Sequence, residues 1–267
     1  MFVEKNSLIK VGGSIENAIK GEYHIDVAAV LKEAWQKTQQ GRQAINLGLT
    51  FIFFLGMLVS YFVGEYFGGI EAAFKQPKAI LLIQTIVSLF IWPFLAGIEM
   101  MGVLHAIGVN TKAKMIFSFL KRGSWVVACG FITSALVSIG FQLFVIPGIF
   151  LAVIFSLTIP LVVEKKFSPI KAMVISMQAL RFQWFKLFAL YLILLGILIL
   201  SMIPMVITGQ SNLAFISIVI FIFALSYLAP FFYNVKGVLY REIFGLTLHK
   251  MENSTDNTSS TDDIFIA

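Results

Sequence analysis

Apolar residues in this chain do not alternate with polar ones at the period of a surface helix or a half-buried strand; they run on without interruption. No Asp, Glu, Lys or Arg occurs from Gln43 to Gly64, from Ala79 to Ile98, from Gly123 to Val163 or from Leu187 to Val235, stretches of 22, 20, 41 and 49 residues. A helix crossing about 30 Å of hydrocarbon at 1.5 Å per residue needs about 20 residues. The first two runs are therefore one span each and the last two are two spans each.

The long runs contain their own break points. Pro147-Gly148 removes a backbone donor and supplies a permissive residue, which predicts a turn between Gly123–Ile146 and a short span over Ile149–Val163. Thr208-Gly209-Gln210-Ser211-Asn212 is a polar turn cluster between Leu187–Ile207 and Leu213–Val235. Six spans follow, and the expected fold is all-α: a polytopic helical membrane protein whose spans form three hairpins.

Between the spans the pattern changes to helical periodicity. After Asp26, a good N-cap, Val27, Val30, Leu31, Ala34 and Trp35 recur at helical spacing, and this helix is expected to end near Gly41. Thr111 to Leu120 gathers Met115, Ile116, Phe119 and Leu120 beside Lys112, Lys114 and Lys121. Ser168-Pro169 is a cap followed by proline at the first helical position, and Ile170, Met173, Val174, Met177 and Leu180 line one face after it. Each hairpin is thus expected to be preceded by a cytoplasmic, interfacial amphipathic helix lying in the headgroup plane. The domain reading is an N-terminal cytoplasmic segment over 1–23, a six-span membrane domain over 24–250 and a disordered polar, acidic tail over 251–267. No signal peptide is expected, because the first apolar span starts late and lacks a small-residue cleavage site.

Charge gives the orientation. Eighteen of the 20 Lys and Arg fall in the N-terminal segment, between spans 2 and 3, between spans 4 and 5, and after span 6; only Lys75 and Lys78 fall on the other side. Basic residues accumulate on the cytoplasmic face, so both termini are expected there. The net charge of +6 is accordingly a lipid signal. Lys121, Arg122, Lys165 and Lys166 are the clearest candidates for anionic headgroups, and no nucleic-acid partner is expected. Asn253-Ser254-Thr255 and Asn257-Thr258-Ser259 match glycosylation sequons, read as chance matches on a cytoplasmic tail.

Little chemistry remains to be placed. The single cysteine, Cys129, lies in the third span and is read as structural. His24, His105 and His249 are scattered and make no metal site. No phosphate loop, nucleophile elbow or paired acidic motif is present; no catalytic residue, cofactor or metal is expected, and the chain is read as not an enzyme. Glu99, with His105 six residues on, is the ionisable group nearest a span interior, placed close to the cytoplasmic boundary where it snorkels or pairs with a loop lysine. Pro93, Pro160, Pro204 and Pro230 fall within spans. Gly130, Ser134 and Ser138 form a small-residue stripe read as a helix-packing seam.

Val145-Ile146-Pro147-Gly148-Ile149-Phe150-Leu151, then Pro160-Leu161-Val162-Val163-Glu164, then Ser168-Pro169-Ile170-Lys171-Ala172 resemble the YciC-like bacterial multi-span membrane proteins of unknown function, relatives of the membrane domain of some glycerophosphodiester phosphodiesterases. Leu239-Tyr240-Arg241-Glu242 is similar to how such proteins end. The resemblance implies fold more than activity: Pro147 and Gly148 as the structural turn, Glu164 as the acidic residue, no catalytic residue, and a bacterial inner (plasma) membrane location. The expected function is a non-enzymatic envelope scaffold or lipid-contacting accessory protein with an unidentified protein partner. The alternative is a small permease using kinked helices and Glu99, for which a cavity lined by Glu99, Gln84 or Gln142 would speak.

Overall fold

A computed structural model of the chain describes residues 8–208 and 214–249. The expected turn over 209–212 and the tail from Met251 lie outside the described residues. Six helical stretches are long and apolar enough to cross a membrane: Val27–Tyr66, Pro77–Ala106, Ala113–Leu143, Val145–Glu164, Pro169–Thr208 and Ala214–Phe244. The chain is a polytopic membrane protein.

The N-terminal segment opens with strand β1 (Leu8–Val11) and helix α1 (Ile15–Lys20). Strand β1 pairs antiparallel with β2 (Leu246–His249), Leu8 facing His249 and Val11 facing Leu246, so an otherwise helical fold closes on a two-stranded ribbon joining its two ends. The 1–23 stretch is therefore packed into the body of the protein from residue 8 onward, and Ala18 of α1 is fully enclosed.

Helix α2 (Val27–Tyr66) starts where the sequence places it, with the Asp26 carboxylate accepting from the Ala28 and Ala29 amides. It does not end near Gly41. It runs 40 residues, about 60 Å at 1.5 Å per residue, so the first amphipathic stretch and the first span are one rod. Glycine ends a helix when it takes up left-handed geometry or frees the chain. Here Gly41 stays helical, and its missing Cβ leaves room for the His105 ring, which a side chain would touch at 2.6 Å.

After a short helix α3 (Ile70–Phe74), helix α4 (Pro77–Ala106) returns antiparallel to α2. Gly108, at φ 83°, stops it: the Gly108 amide donates to His105 O and the Val109 amide to Leu104 O, the paired bonds of a left-handed C-terminal cap. The helix expected over Thr111–Leu120 does not form as an α-helix. The segment is instead two 3₁₀ turns, Ala113–Phe117 and Leu120–Arg122. Its apolar stripe finds a closer partner than a headgroup plane: Met115 and Ile116 are buried, with the Ile116 backbone seated on Gly97 of α4.

Helix α5 (Gly123–Leu143) and α6 (Val145–Ile154) pack against each other. The turn between them is at Phe144, which has extended backbone, and not at Pro147-Gly148; those two residues lie inside α6. Proline is tolerated there because first-turn amides have no intrahelical acceptor. Gly148 does sit at the closest approach, under the ring of Phe141. The Gly130 stripe is also corrected. Gly130 is covered by Trp92 of α4, but Ser134 and Ser138 are exposed, so the small-residue seam is one residue long. A second break at Phe155–Leu157 separates α6 from α7 (Thr158–Glu164).

Helix α8 (Pro169–Leu180) opens as the sequence indicates, with Ser168 Oγ accepting from the Lys171 amide. Its burial divides the expected stripe: Met173 and Leu180 face the core with Ala172, Ile175 and Ser176, whereas Ile170, Val174 and Met177 are exposed. Helices α9 (Trp184–Thr208) and α10 (Ala214–Phe244) complete the body, α10 packing on α2, α4 and α9.

Burial is distributed unevenly along the long helices. Every residue from Ala96 to Ala106 in α4 and from Asn234 to Tyr240 in α10 is buried. The halves of the spans away from this end, such as Phe53, Phe54 and Phe62 in α2 or Phe215 and Phe223 in α10, are exposed. Apolar side chains turned outward along closed helices suit a hydrocarbon solvent, in which every backbone group must be bonded internally.

Candidate functional site: a buried polar cluster

Glu99 and Lys236 are each the first charged residue that their helix reaches after its apolar run. Helices α4 and α10 cross beside them with almost no side chain between, since a Cβ at Gly237 would land on the Gly102 carbonyl and one at Gly102 on Tyr233 O. That approach brings Lys236 Nζ to 2.5 Å from Glu99 Oε1, with both residues enclosed at 7% and 6% exposure. Glu99 Oε2 is buried and has no hydrogen-bond partner among the described residues. Opposite charges removed from water attract strongly, and either one left unpaired here would be very costly.

A second, neutral thread runs alongside. Thr38 Oγ1 donates to Ala34 O at 2.8 Å and accepts from Asn234 Nδ2 at 2.9 Å. Asn234 Oδ1 lies 2.8 Å from His105 Nδ1, and His105 Nε2 lies 2.7 Å from Thr111 Oγ1. Since Asn234 Oδ1 can only accept, Nδ1 carries the proton; in the neutral imidazole Nε2 then accepts from the Thr111 hydroxyl. Every member of the thread has a partner, and it joins α2, α4, α10 and the loop after α4. His105 also borders a cleft of about 20 Å³ lined by Lys37, Gln40 and Asn110, room for a single water.

Arg241, one turn beyond Lys236, fastens the helix ends. Its guanidinium meets both oxygens of Glu33 in α2, at 2.6 and 2.8 Å, and donates to Ala106 O, the last residue of α4, at 2.5 Å. Glu242 adds a second carboxylate at 2.6 Å. Tyr240 donates to Glu164 Oε2 at 2.8 Å, and Lys165 pairs with the same carboxylate at 3.1 Å, so α7 is tied to α10 as well.

The three polar candidates from the sequence, Glu99, His105 and Glu164, are thus all engaged by one stretch of α10, residues 234–240. Sequence reasoning did not single out Asn234, Lys236 or Tyr240 as their partners. The available signal was Asn-Val-Lys at 234–236, where polar residues cut into the end of an apolar run. The basic candidates divide: Lys121 and Lys166 are exposed, Lys165 is held by Glu164, and Arg122 Nη1 donates to Lys166 O at 3.2 Å. Cys129 is buried in α5. Among the described residues no group of three His, Cys, Asp or Glu side chains is placed to hold a metal ion.

A separate lock holds the segment before α2. Tyr23 donates to Ala179 O at 2.8 Å, the Ile25 amide donates to Gln183 Oε1 at 3.0 Å, and Gln183 Nε2 donates back to Tyr23 O. Burial pushes the Tyr23 phenol up to about 12, against a smaller lowering from Gln183.

These contacts bind helices to one another. No protein-family model matches the chain, and neither curated proteins nor solved structures yield a match.

Proposed function

We propose that this protein is a non-catalytic integral membrane protein, an envelope scaffold or lipid-contacting accessory of a bacterial inner membrane, with both termini cytoplasmic. The observation that carries the reading is that Glu99, His105 and Glu164 each have a polar partner on α10. Charges and amides used in this way specify one packing of the helices. The 18-to-2 division of basic residues supports the orientation. In this reading the six spans form three hairpins, α8 lies at the cytoplasmic headgroup level with Ile170, Val174 and Met177 toward lipid, and Lys121 and Lys166 meet anionic headgroups. The YciC-like resemblance belongs to the same proposal.

One observation favours a second reading, a small permease. Pro93 stands six residues before Glu99 and Pro230 six before Lys236, so each paired charge sits just past a residue that frees a backbone carbonyl and loosens the helix. Buried charge within spans, beside prolines inside the helices, is a feature of substrate and ion pathways.

A C-terminal fluorescent reporter and a periplasm-active phosphatase fusion test the orientation: fluorescence without phosphatase activity is expected, and the reverse overturns it. Replacing the pair together, Glu99→Leu with Lys236→Met, separates the two readings. A scaffold keeps its co-purifying lipid and protein partners in that variant, whereas a permease that works through the pair loses the phenotype of the intact gene.

A further inference from the structure

Helices α2 and α4 touch closely near the polar cluster and separate toward α3. Between them is a hollow of about 380 Å³, lined by Gly56, Ser60, Ile70, Phe74, Val87 and Ile91 among others. Ser60 contributes its only polar side chain. A water-sized unit needs about 10 to 15 Å³ of such space, so the hollow takes a run of methylenes, a good part of one acyl chain. It is an open apolar groove with one hydroxyl, and Phe53, Met57 and Phe74 on its walls are exposed.

The rim is charged. Glu65, Glu71, Lys75 and Lys78 lie within fourteen residues of one another on the segment that closes the hollow. All four are exposed, and none takes part in an ion pair among the described residues. Tyr66, 84% exposed, stands beside them, as an aromatic at a membrane–water boundary does. Two cations and two carboxylates do not select for a purely anionic headgroup. They complement one that carries a phosphate and an ammonium together.

We propose that this hollow binds one zwitterionic aminophospholipid, an acyl chain between α2 and α4 beneath α3, the phosphate at Lys75 and Lys78 and the ammonium at Glu65 and Glu71. The assignment deepens the lipid-contacting reading above and rests on it. The bound chain fills the gap that the diverging helices leave, so the site also braces the half of the bundle that lacks the polar cluster.

The test is native mass spectrometry, with lipid extraction, on full-length protein purified from membranes in mild detergent. The wild type is expected to retain about one aminophospholipid per chain. Gly56→Phe grows into the hollow, where a Cβ meets only the tips of Ile91 and Val87 at 3.0 and 3.8 Å, and retention should fall at least roughly ten-fold, the effect of losing several buried methylenes. Val87→Phe fills the same space from the opposite wall and serves if Gly56→Phe does not accumulate. Lys75→Gln with Lys78→Gln should lower retention by about ten-fold or more, two headgroup cations being removed. Gly196→Phe, on an open helix surface with nothing within 4 Å of its Cβ, should change nothing. Unchanged retention in both filled variants overturns the site while leaving lipid contact elsewhere intact. Retention of anionic phospholipid alone overturns the headgroup assignment. A wild type that carries no lipid overturns both the site and the lipid-contacting reading.

Discussion

Glu99 and Lys236 are 137 positions apart in the chain, and their charged atoms lie 2.5 Å apart between two helices that meet backbone to backbone. A buried pair of this kind need not be worth much against a well-packed apolar pair, but removal of one partner strands the other charge. Glu99→Gln and Lys236→Met alone should therefore each destabilise the protein by roughly 3 to 5 kcal/mol. The double variant Glu99→Leu with Lys236→Met should recover most of that loss. Thermal unfolding in detergent, run as a double-mutant cycle, reads the coupling; additive losses would mean that the two side chains do not form a pair.

The crossing that permits this pair predicts a contrast between glycines. Alanine is the better helix former by about 1 kcal/mol, so Gly196→Ala, on an open face, should leave stability unchanged or slightly raised. Gly237→Ala puts a methyl group onto the Gly102 carbonyl, and neither backbone has a rotamer with which to yield. Overpacking of that sort should cost about 1 to 3 kcal/mol, so the unfolding midpoint should fall for Gly237→Ala and not for Gly196→Ala.

These two cases also mark what the sequence could and could not disclose. Absence of charge over four runs located the spans, since solvation by hydrocarbon is a local property of each segment. The Asp26 and Ser168 caps were legible because a cap acts on amides two or three residues away. Glu99 and His105 stood out as ionisable groups beside apolar runs, but their partners did not. Lys236 reads as a flanking loop cation until α10 is laid against α4, and Asn234 means little without Thr38 and His105. The continuity of α2 through Gly41 and the wedge at Met115 and Ile116 likewise depend on neighbours far along the chain. Strands of four residues such as β1 and β2 have too few side chains to declare a period, and each exists only by pairing with the other.

Arg241 should prove sensitive to a change that keeps its charge. Its planar fork meets both Glu33 oxygens and the Ala106 carbonyl together, and a lysine offers one point charge in place of that geometry. Arg241→Lys should cost about 1.5 to 3 kcal/mol, the worth of a charged hydrogen bond. The loss should be local as well as global. The Gly13 and Gly245 amides both donate to Arg241 O, so hydrogen exchange at these two sites should accelerate more than exchange at the α5–α6 contact. Equal acceleration everywhere would assign Arg241 a general packing role and not that of a fastener for the β1–β2 ribbon.

Alkaline pH offers a probe of the lock between Tyr23 and α8. The Tyr23 phenol is raised from 10.0 to about 12 by burial, and its proton is engaged with Ala179 O. A group that holds its proton more tightly when folded than when unfolded stabilises the fold fully below its unfolded value and loses that contribution as pH climbs to its folded one. Stability should therefore be flat up to pH 10, fall between 10 and about 12, and level off above, because the unfolded chain releases the proton first. Tyr23→Phe removes both the hydrogen bond and the titration: it should be less stable than the wild type at neutral pH and lose less stability across that window. Unfolding midpoints measured on either side of the window in wild type and Tyr23→Phe give the comparison, and the other tyrosines and lysines, common to both proteins, cancel in the difference. Parallel curves for the two proteins would mean that the phenol is not held by Ala179.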